Sequence, residues 1–339
     1  MRTAHQIFFT GKEQAECRPI RLEDEPAEDN VLIKSVYSAI SPGTELANFH
    51  EMPNTAIEQG AAYPFWVGYS AVGRVVKTGP GVKTLKAGDT VLVHWAGHCS
   101  WYLRPESDVY RLDGEADLKE AAFFHIASFP LLAVRKLQIR LGECTMIAGL
   151  GILGLFAVQF ARLAGALPVF ACDFSPERRK LALELGADAV FDPAAPDFIE
   201  QVKAASDGKG PDAVVEVTGR IEALQQALEY INREGRIALL GCTRISDKTI
   251  DFYKYVHRRG IHLIGAHTSA RPAEESRPDG WTEKDDCRTF VRMLACGRMS
   301  VAGMIREIVS PMDAQSVYSR ISGSETKPGI LFDWREIDA

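Results

Sequence analysis

The run Gly149-Leu150-Gly151-Ile152-Leu153-Gly154 has the spacing of a phosphate-cradling turn. Glycines so spaced do three jobs in a dinucleotide site. The first makes the tight turn, the second lets backbone approach a pyrophosphate, and the third lets a helix pack closely on a strand. The context is the required one: the run closes the apolar stretch 145–148 and opens a helical pattern over 152–164. Phosphates would then meet unpaired N–H groups at the positive end of a helix. Asp173 stands nineteen residues after Gly154, at the end of the next apolar run. A carboxylate there accepts hydrogen bonds from the adenosine ribose and repels a 2′-phosphate, which favours NAD over NADP. Arg178 and Arg179 are near in sequence and either join the cofactor site or lie on a solvated helix face.

These residues need strands and helices in alternation, and the second half of the chain supplies them. Strands are expected at 144–148, 168–172, 189–191, 213–217, 236–240 and 262–264, with helices at 152–164, 176–185, 198–205 and 221–231 between them. Six strands so interleaved make a doubly wound parallel sheet. Ser175-Pro176 reads as an N-cap followed by a first-turn proline, and Gly186 as the glycine that ends that helix. The first 120 residues differ. Short strands at 31–40, 72–78, 90–93, 101–103 and 109–112 are separated by Gly79-Pro80-Gly81 and Lys86-Ala87-Gly88-Asp89, as in a barrel or sandwich. A helix over 119–138 follows. After 265 the pattern loosens into a loop at 268–280, a helix at 282–296 and a tail with two possible strands.

The totals bound the reading. A chain of 339 residues exceeds one ordinary core, so two domains are expected. The net charge of −6 speaks against general binding to nucleic acid or anionic membranes. The N-terminal apolar run covers only 7–9, so neither a secretory signal nor a membrane span is expected. Seven scattered cysteines without a C-x-x-C pair fit reduced thiols in a cytoplasm.

Four stretches together resemble the medium-chain dehydrogenase/reductase superfamily, which includes the zinc alcohol dehydrogenases. They are Pro42-Gly43-Thr44-Glu45-Leu46, Val67-Gly68-Tyr69-Ser70-Ala71-Val72-Gly73, Lys86-Ala87-Gly88-Asp89-Thr90-Val91 and the glycine motif. The resemblance implies an α/β protein: a GroES-like β-barrel catalytic domain from 1–125 and 267–339, and a Rossmann domain over 126–266. It places the active site in the cleft between them. Zinc members carry Cys-Gly-Thr-Asp and Gly-His-Glu in the first two motifs, whereas this chain has Pro42 and Tyr69 at the ligand positions. Neither is a good zinc ligand. The third ligand would fall near Phe124-His125, and the four-cysteine lobe is reduced to Cys99. No family-type metal is therefore expected, although a different site built from Glu45, His94, His98 and His125 stays open.

Without zinc, a side chain must handle the hydroxyl proton in hydride transfer. Beside the lost third ligand, His125 is the first candidate base, against the plainer reading of a hydrogen-bonded helix histidine. Thr44 matches a family Ser/Thr that bonds the substrate hydroxyl, and Glu45 matches the neighbouring acid, either a base or a buried structural carboxylate. The hydroxyl of Tyr69 either donates to a carbonyl oxygen or the ring simply packs. His94 and Trp95 fall where the family lines its substrate pocket. Thr218-Gly219, Leu240-Gly241 and Ala266-His267 follow strand ends where the family contacts its cofactor, while Lys327 is offset by one from the family's pyrophosphate arginine. The segments 266–272 and 276–282 resemble a bacterial branch that includes hexoside 3-dehydrogenases, or form a surface loop. An NAD-dependent dehydrogenase acting on a secondary alcohol of a sugar, glycoside or cyclitol is the leading expectation. A zinc-free quinone or enoyl reductase and a non-catalytic dinucleotide-binding protein are the alternatives. The resemblance also implies a homo-oligomer, dimer or tetramer, and the tail 329–332 and the sheet edge near 262–264 are segments able to pair between subunits.

Overall fold

Alternating patterns and turn residues translate into two units, one of Met1–Ile126 with Phe290–Ala339 and one of Ala127–Thr289. The computed structural model describes residues 1–112, 114–278, 280–322 and 328–338. Lys327, and Asp279 of the second loop segment, lie outside the described residues.

The first unit begins with an antiparallel hairpin, β1 (Arg2–Gly11) and β2 (Gln14–Leu22), which the short apolar run at 7–9 did not announce. The hairpin puts Ala4, Ile7 and Phe9 in the core and leaves residues of mixed polarity between them, so the apolar signal is diluted. Then come β3 (Asn30–Ala39), helix α1 (Pro42–Phe49), β4 (Phe65–Trp66), β5 (Ser70–Thr78), β6 (Thr90–His94), β7 (Trp101–Pro105) and β8 (Val109–Arg111). Pro42 occupies the first turn of α1, where its missing N–H costs nothing. The expected helix at 119–138 is two helices, α2 (Leu118–Ala121) and α3 (Phe124–Leu137).

The second unit holds β9 (Thr145–Ala148), α4 (Ile152–Leu163), β10 (Val169–Cys172), α5 (Pro176–Glu184), β11 (Ala189–Phe191), α6 (Phe198–Ala205), β12 (Ala213–Glu216), α7 (Ile221–Tyr230), β13 (Arg236–Leu239), α8 (Phe252–Tyr255) and β14 (His262–Gly265). All six strands are parallel, in the order β11-β10-β9-β12-β13-β14. Strand order reverses between β9 and β12, the crevice where doubly wound sheets bind ligands. Ser175 caps α5, its hydroxyl accepting from the Arg178 N–H. The central strands β9, β10 and β12 are buried along their whole length, as expected of a parallel sheet covered by helices on both faces.

Helix α9 (Glu283–Ala295) leads back to the first unit, followed by β15 (Ile305–Val309), α10 (Ala314–Ile321) and β16 (Gly329–Asp333). The tail strands β15 and β16 complete a seven-stranded sheet running β15-β16-β3-β5-β6-β8, with β7 on β3. The sequence expectation puts 267 onward in the first domain, whereas 267–289 groups with the second unit. Asp286 gives a reason. Its buried carboxylate accepts from Arg135 Nε at 2.7 Å and lies 3.5 Å from Arg271 Nη1, while the Arg135 guanidinium stacks 3.6 Å over Trp281. Among the described residues no helix is long and apolar enough to cross a membrane.

Candidate active site

The glycine turn sits on the carboxyl end of β9, at the switch point. Gly149 has φ +97°, and a Cβ there would lie 2.7 Å from Thr218 Cγ2. A Cβ on Gly154 would lie 1.9 Å from the Gly149 carbonyl oxygen, so helix and turn touch backbone to backbone. At Gly151 the opposite holds: nothing lies within 4 Å of an added Cβ. That open space stands over the first turn of α4, whose N–H groups have no acceptor within the helix, and Gly151 caps it without a side chain. This is the cradle a pyrophosphate requires.

Asp173 follows β10. Its Oδ2 accepts from Leu150 N at 2.8 Å and its Oδ1 from Ser175 N at 2.9 Å, so one carboxylate ties the glycine turn to the start of α5. A carboxylate has about four acceptor sites, which leaves capacity for ribose hydroxyls. Arg178 Nη1 lies 3.6 Å from Asp173 Oδ2, while Arg179 bonds the Asp173 and Phe174 carbonyls and pairs with Asp192 at 3.1 Å. Ala266 is buried and its N–H donates to Leu239 O, and His267 Nδ1 meets Ser269 Oγ at 2.8 Å.

In the first unit the structure gathers Thr44, Tyr69, His94, Trp95 and His125. The Tyr69 hydroxyl donates to Ser41 Oγ and lies 3.4 Å from Thr44 Oγ1. Its ring meets His125 edge-on at 5.2 Å and Trp95 at 5.2 Å. Trp95 meets His125 at 4.7 Å, and His94 stacks on Tyr110 while its ring lies 5.6 Å from that of His125. Ser70 holds this group together: its hydroxyl donates to Ala122 O at 2.6 Å and accepts from His125 N at 3.3 Å, joining β5 to the start of α3. Trp95 has φ +49° and is 41% exposed. A bulky residue in the left-handed region is strained, and such strain concentrates at functional sites.

Glu45 points elsewhere. It is 2% exposed, and its oxygens accept from Ser41 N at 2.8 Å, His98 Nε2 at 3.1 Å and the Tyr318 hydroxyl at 2.5 Å. His98 in turn bonds Ser38 Oγ at 2.7 Å, which accepts from Trp334 Nε1 at 2.8 Å. Sequence reasoning gave no role to Ser41, Ser70, Tyr318 and Trp334; Ser70 lies in the stretch 67–73, and no short motif marks the other three. It also missed Glu216, although a lone acid inside the apolar run 213–217 was a visible signal. Burial raises the Glu216 carboxyl above its ordinary range, opposed by donors from Thr218 and Gly219.

Residues 27–124 match the family described as alcohol dehydrogenase GroES-like domain, and residues 153–279 that described as zinc-binding dehydrogenase. An L-threonine 3-dehydrogenase of Pyrococcus furiosus is 30% identical over 275 residues, covering 71% of this chain and 76% of the relative. A D-guloside 3-dehydrogenase of Escherichia coli is 24% identical over 284 residues, covering 79% and 78%. The solved structure of a candidate zinc-binding dehydrogenase from Sinorhizobium meliloti 1021, bound to NADP, superposes with a TM-score of 0.83 at 22% identity, over 98% of this chain and 100% of that one. The chain belongs to the medium-chain dehydrogenase/reductase superfamily.

As a member of that superfamily it is an alcohol-dehydrogenase-like oxidoreductase that uses a nicotinamide dinucleotide and a small-molecule substrate. The open cradle at Gly151, with Asp173 behind it, fits the dinucleotide. Two residues at the family's zinc positions, Pro42 and Tyr69, do not fit zinc. Pro42 offers no donor atom, and the Tyr69 hydroxyl is turned to Ser41. Cys99 is buried, donates its thiol to Trp101 O and is pushed up to about 12 by burial, away from thiolate. His94 and His125 lie side by side, their ring centroids 5.6 Å apart.

Proposed function

We propose that this dehydrogenase oxidises a secondary hydroxyl on a sugar, glycoside or cyclitol ring to the ketone, with NAD as partner and without a catalytic zinc. The observation that carries this reading is the hydroxyl–imidazole group that replaces the zinc ligands: Tyr69 near Thr44 and edge-on to His125. A bound nicotinamide dinucleotide supplies the hydride acceptor. Thr44 holds the substrate hydroxyl, and the His125 ring takes its proton as the C–H hydride departs, so alcohol becomes ketone with one proton left on the protein. In the reverse direction the same imidazole returns the proton. Tyr69 orients Thr44 and donates to the developing oxygen charge when its hydroxyl turns from Ser41. The partly exposed Trp95 ring gives a flat apolar face for the C–H side of a sugar ring, and the name of the guloside-oxidising relative supports that class.

Glu45 is assigned to holding α1 rather than to the proton path. His94 and Trp95 are assigned to substrate. The glycine turn, Asp173, Arg178, Thr218, Gly219, Leu240, Gly241, Ala266 and His267 are assigned to the cofactor side. Asp173 supports NAD over NADP through its ribose-facing capacity. Seven free thiols support a cytoplasmic setting, and the superfamily supports a homo-oligomer.

The test is a panel of sugars, glycosides and cyclitols with NAD⁺ and with NADP⁺, run alongside elemental analysis. Ring-hydroxyl oxidation with NAD⁺ by chelator-treated protein is expected. Turnover that needs stoichiometric zinc, or that runs only with NADP⁺, would overturn the corresponding part.

A further inference from the structure

Glu216 ends β12 inside the sheet, with no solvent exposure. Its Oε1 accepts from the Thr218 N–H at 2.8 Å and from the Thr218 hydroxyl, and its Oε2 from the Gly219 N–H at 3.2 Å. Its backbone carbonyl accepts from Leu240 N and Gly241 N, each at 2.9 Å. One residue thus takes four N–H groups from the turns after β12 and β13, while the Val217 N–H between them donates to Ala148 O. These two turns are packed to contact. A Cβ on Gly241 would lie 2.2 Å from Gly219 N, and a Cβ on Gly149 would lie 2.7 Å from the methyl carbon of Thr218. The Thr218 hydroxyl also accepts from Arg220 N at 3.0 Å, which carries the arrangement into the start of α7.

An acid buried in a strand is costly unless its oxygens are satisfied, and hydrogen bonds to N–H groups are what satisfy it. The satisfaction is bought here from the turns that flank the cofactor cradle. We propose that Glu216 is a positioning residue for dinucleotide binding: its carboxylate draws Thr218 and Gly219 into a closed turn that walls Gly149, so this turn meets the cofactor by shape and not by N–H donation. The inference rests on the cofactor reading above.

Gly151→Asp separates the two. It adds a charged side chain to open space, so the protein folds, and it must abolish NADH binding if the cradle is where the dinucleotide sits. With that control in place, Glu216→Gln, which turns one acceptor into a donor facing an N–H, is expected to raise the NADH dissociation constant about tenfold by calorimetry. In steady state the KM for the dinucleotide rises while kcat at saturation holds. A dissociation constant within twofold of wild type, with only the melting temperature lowered, would show a merely structural acid and overturn the proposal. Hydrogen exchange on the wild-type protein serves if the variant does not fold. The Thr218 and Gly219 amides are expected to be protected before NADH is added. Fast exchange that slows only with NADH would mean they donate to the cofactor, and would overturn it.

Discussion

The Tyr69 ring stands edge-on to His125, with centroids 5.2 Å apart and planes at 88°. The hydroxyl of that tyrosine faces Ser41 and Thr44, so one ring touches both the hydroxyl pair and the imidazole.

Replacing His125 by alanine removes the proposed proton acceptor. General acid–base groups contribute about 10²–10⁴-fold, so kcat should fall at least about 10²-fold. NADH binding, measured by fluorescence or calorimetry, should stay within about threefold. Full kcat in this variant would remove His125 from the mechanism.

Tyr69→Phe keeps the ring against His125 and deletes the hydroxyl. The lost buried hydrogen bond to Ser41 costs about 1 kcal/mol in chemical denaturation. If the hydroxyl also supports Thr44 and the reacting oxygen, kcat drops about tenfold or more. A variant that loses stability and keeps kcat would reduce Tyr69 to packing.

Glu45→Ala strands three buried donors, from Ser41, His98 and Tyr318. Unpartnered buried groups of this kind cost about 3–5 kcal/mol, roughly 10 °C in Tm. The measurement is a thermal melt, and an unchanged Tm would contradict the anchoring role.

Glu106 links stability to pH. Its carboxylate accepts from the Thr84 hydroxyl and from the N–H groups of Thr84, Lys83 and Leu85, which hold it at about 2, below its ordinary 4.5. A carboxyl lowered on folding contributes stability that is complete above 4.5 and lost as pH falls towards about 2. The stability difference between wild type and Glu106→Gln should therefore shrink as pH drops through that window. A difference independent of pH would show that the turn does not depend on the charge.

Much of the second unit was legible because its signals are local. The strand–glycine–helix run at 145–163 and the cap at Ser175 depend on neighbours within a few positions, and the structure repeats them to within a residue or two. The hairpin β1–β2 and helix α1 were not legible. β1 alternates without a clean apolar period, and α1 starts on Pro42 directly after a strand, with only eight residues to show a pattern.

The amino-acid order alone determined the parallel sheet, the glycine turn at Gly149–Gly154 with Asp173 behind it, and the proline and tyrosine at 42 and 69, because each depends on residue type at short spacing. Tertiary structure decided what Glu45 and Glu216 do. Both are lone acids in sequence, and their partners come from chain far away or from turns whose shape only the folded sheet defines: Tyr318 lies 273 residues from Glu45. A buried carboxylate takes its role from whichever donors the fold brings to it, and that choice is made in space, where residue spacing along the chain carries no information.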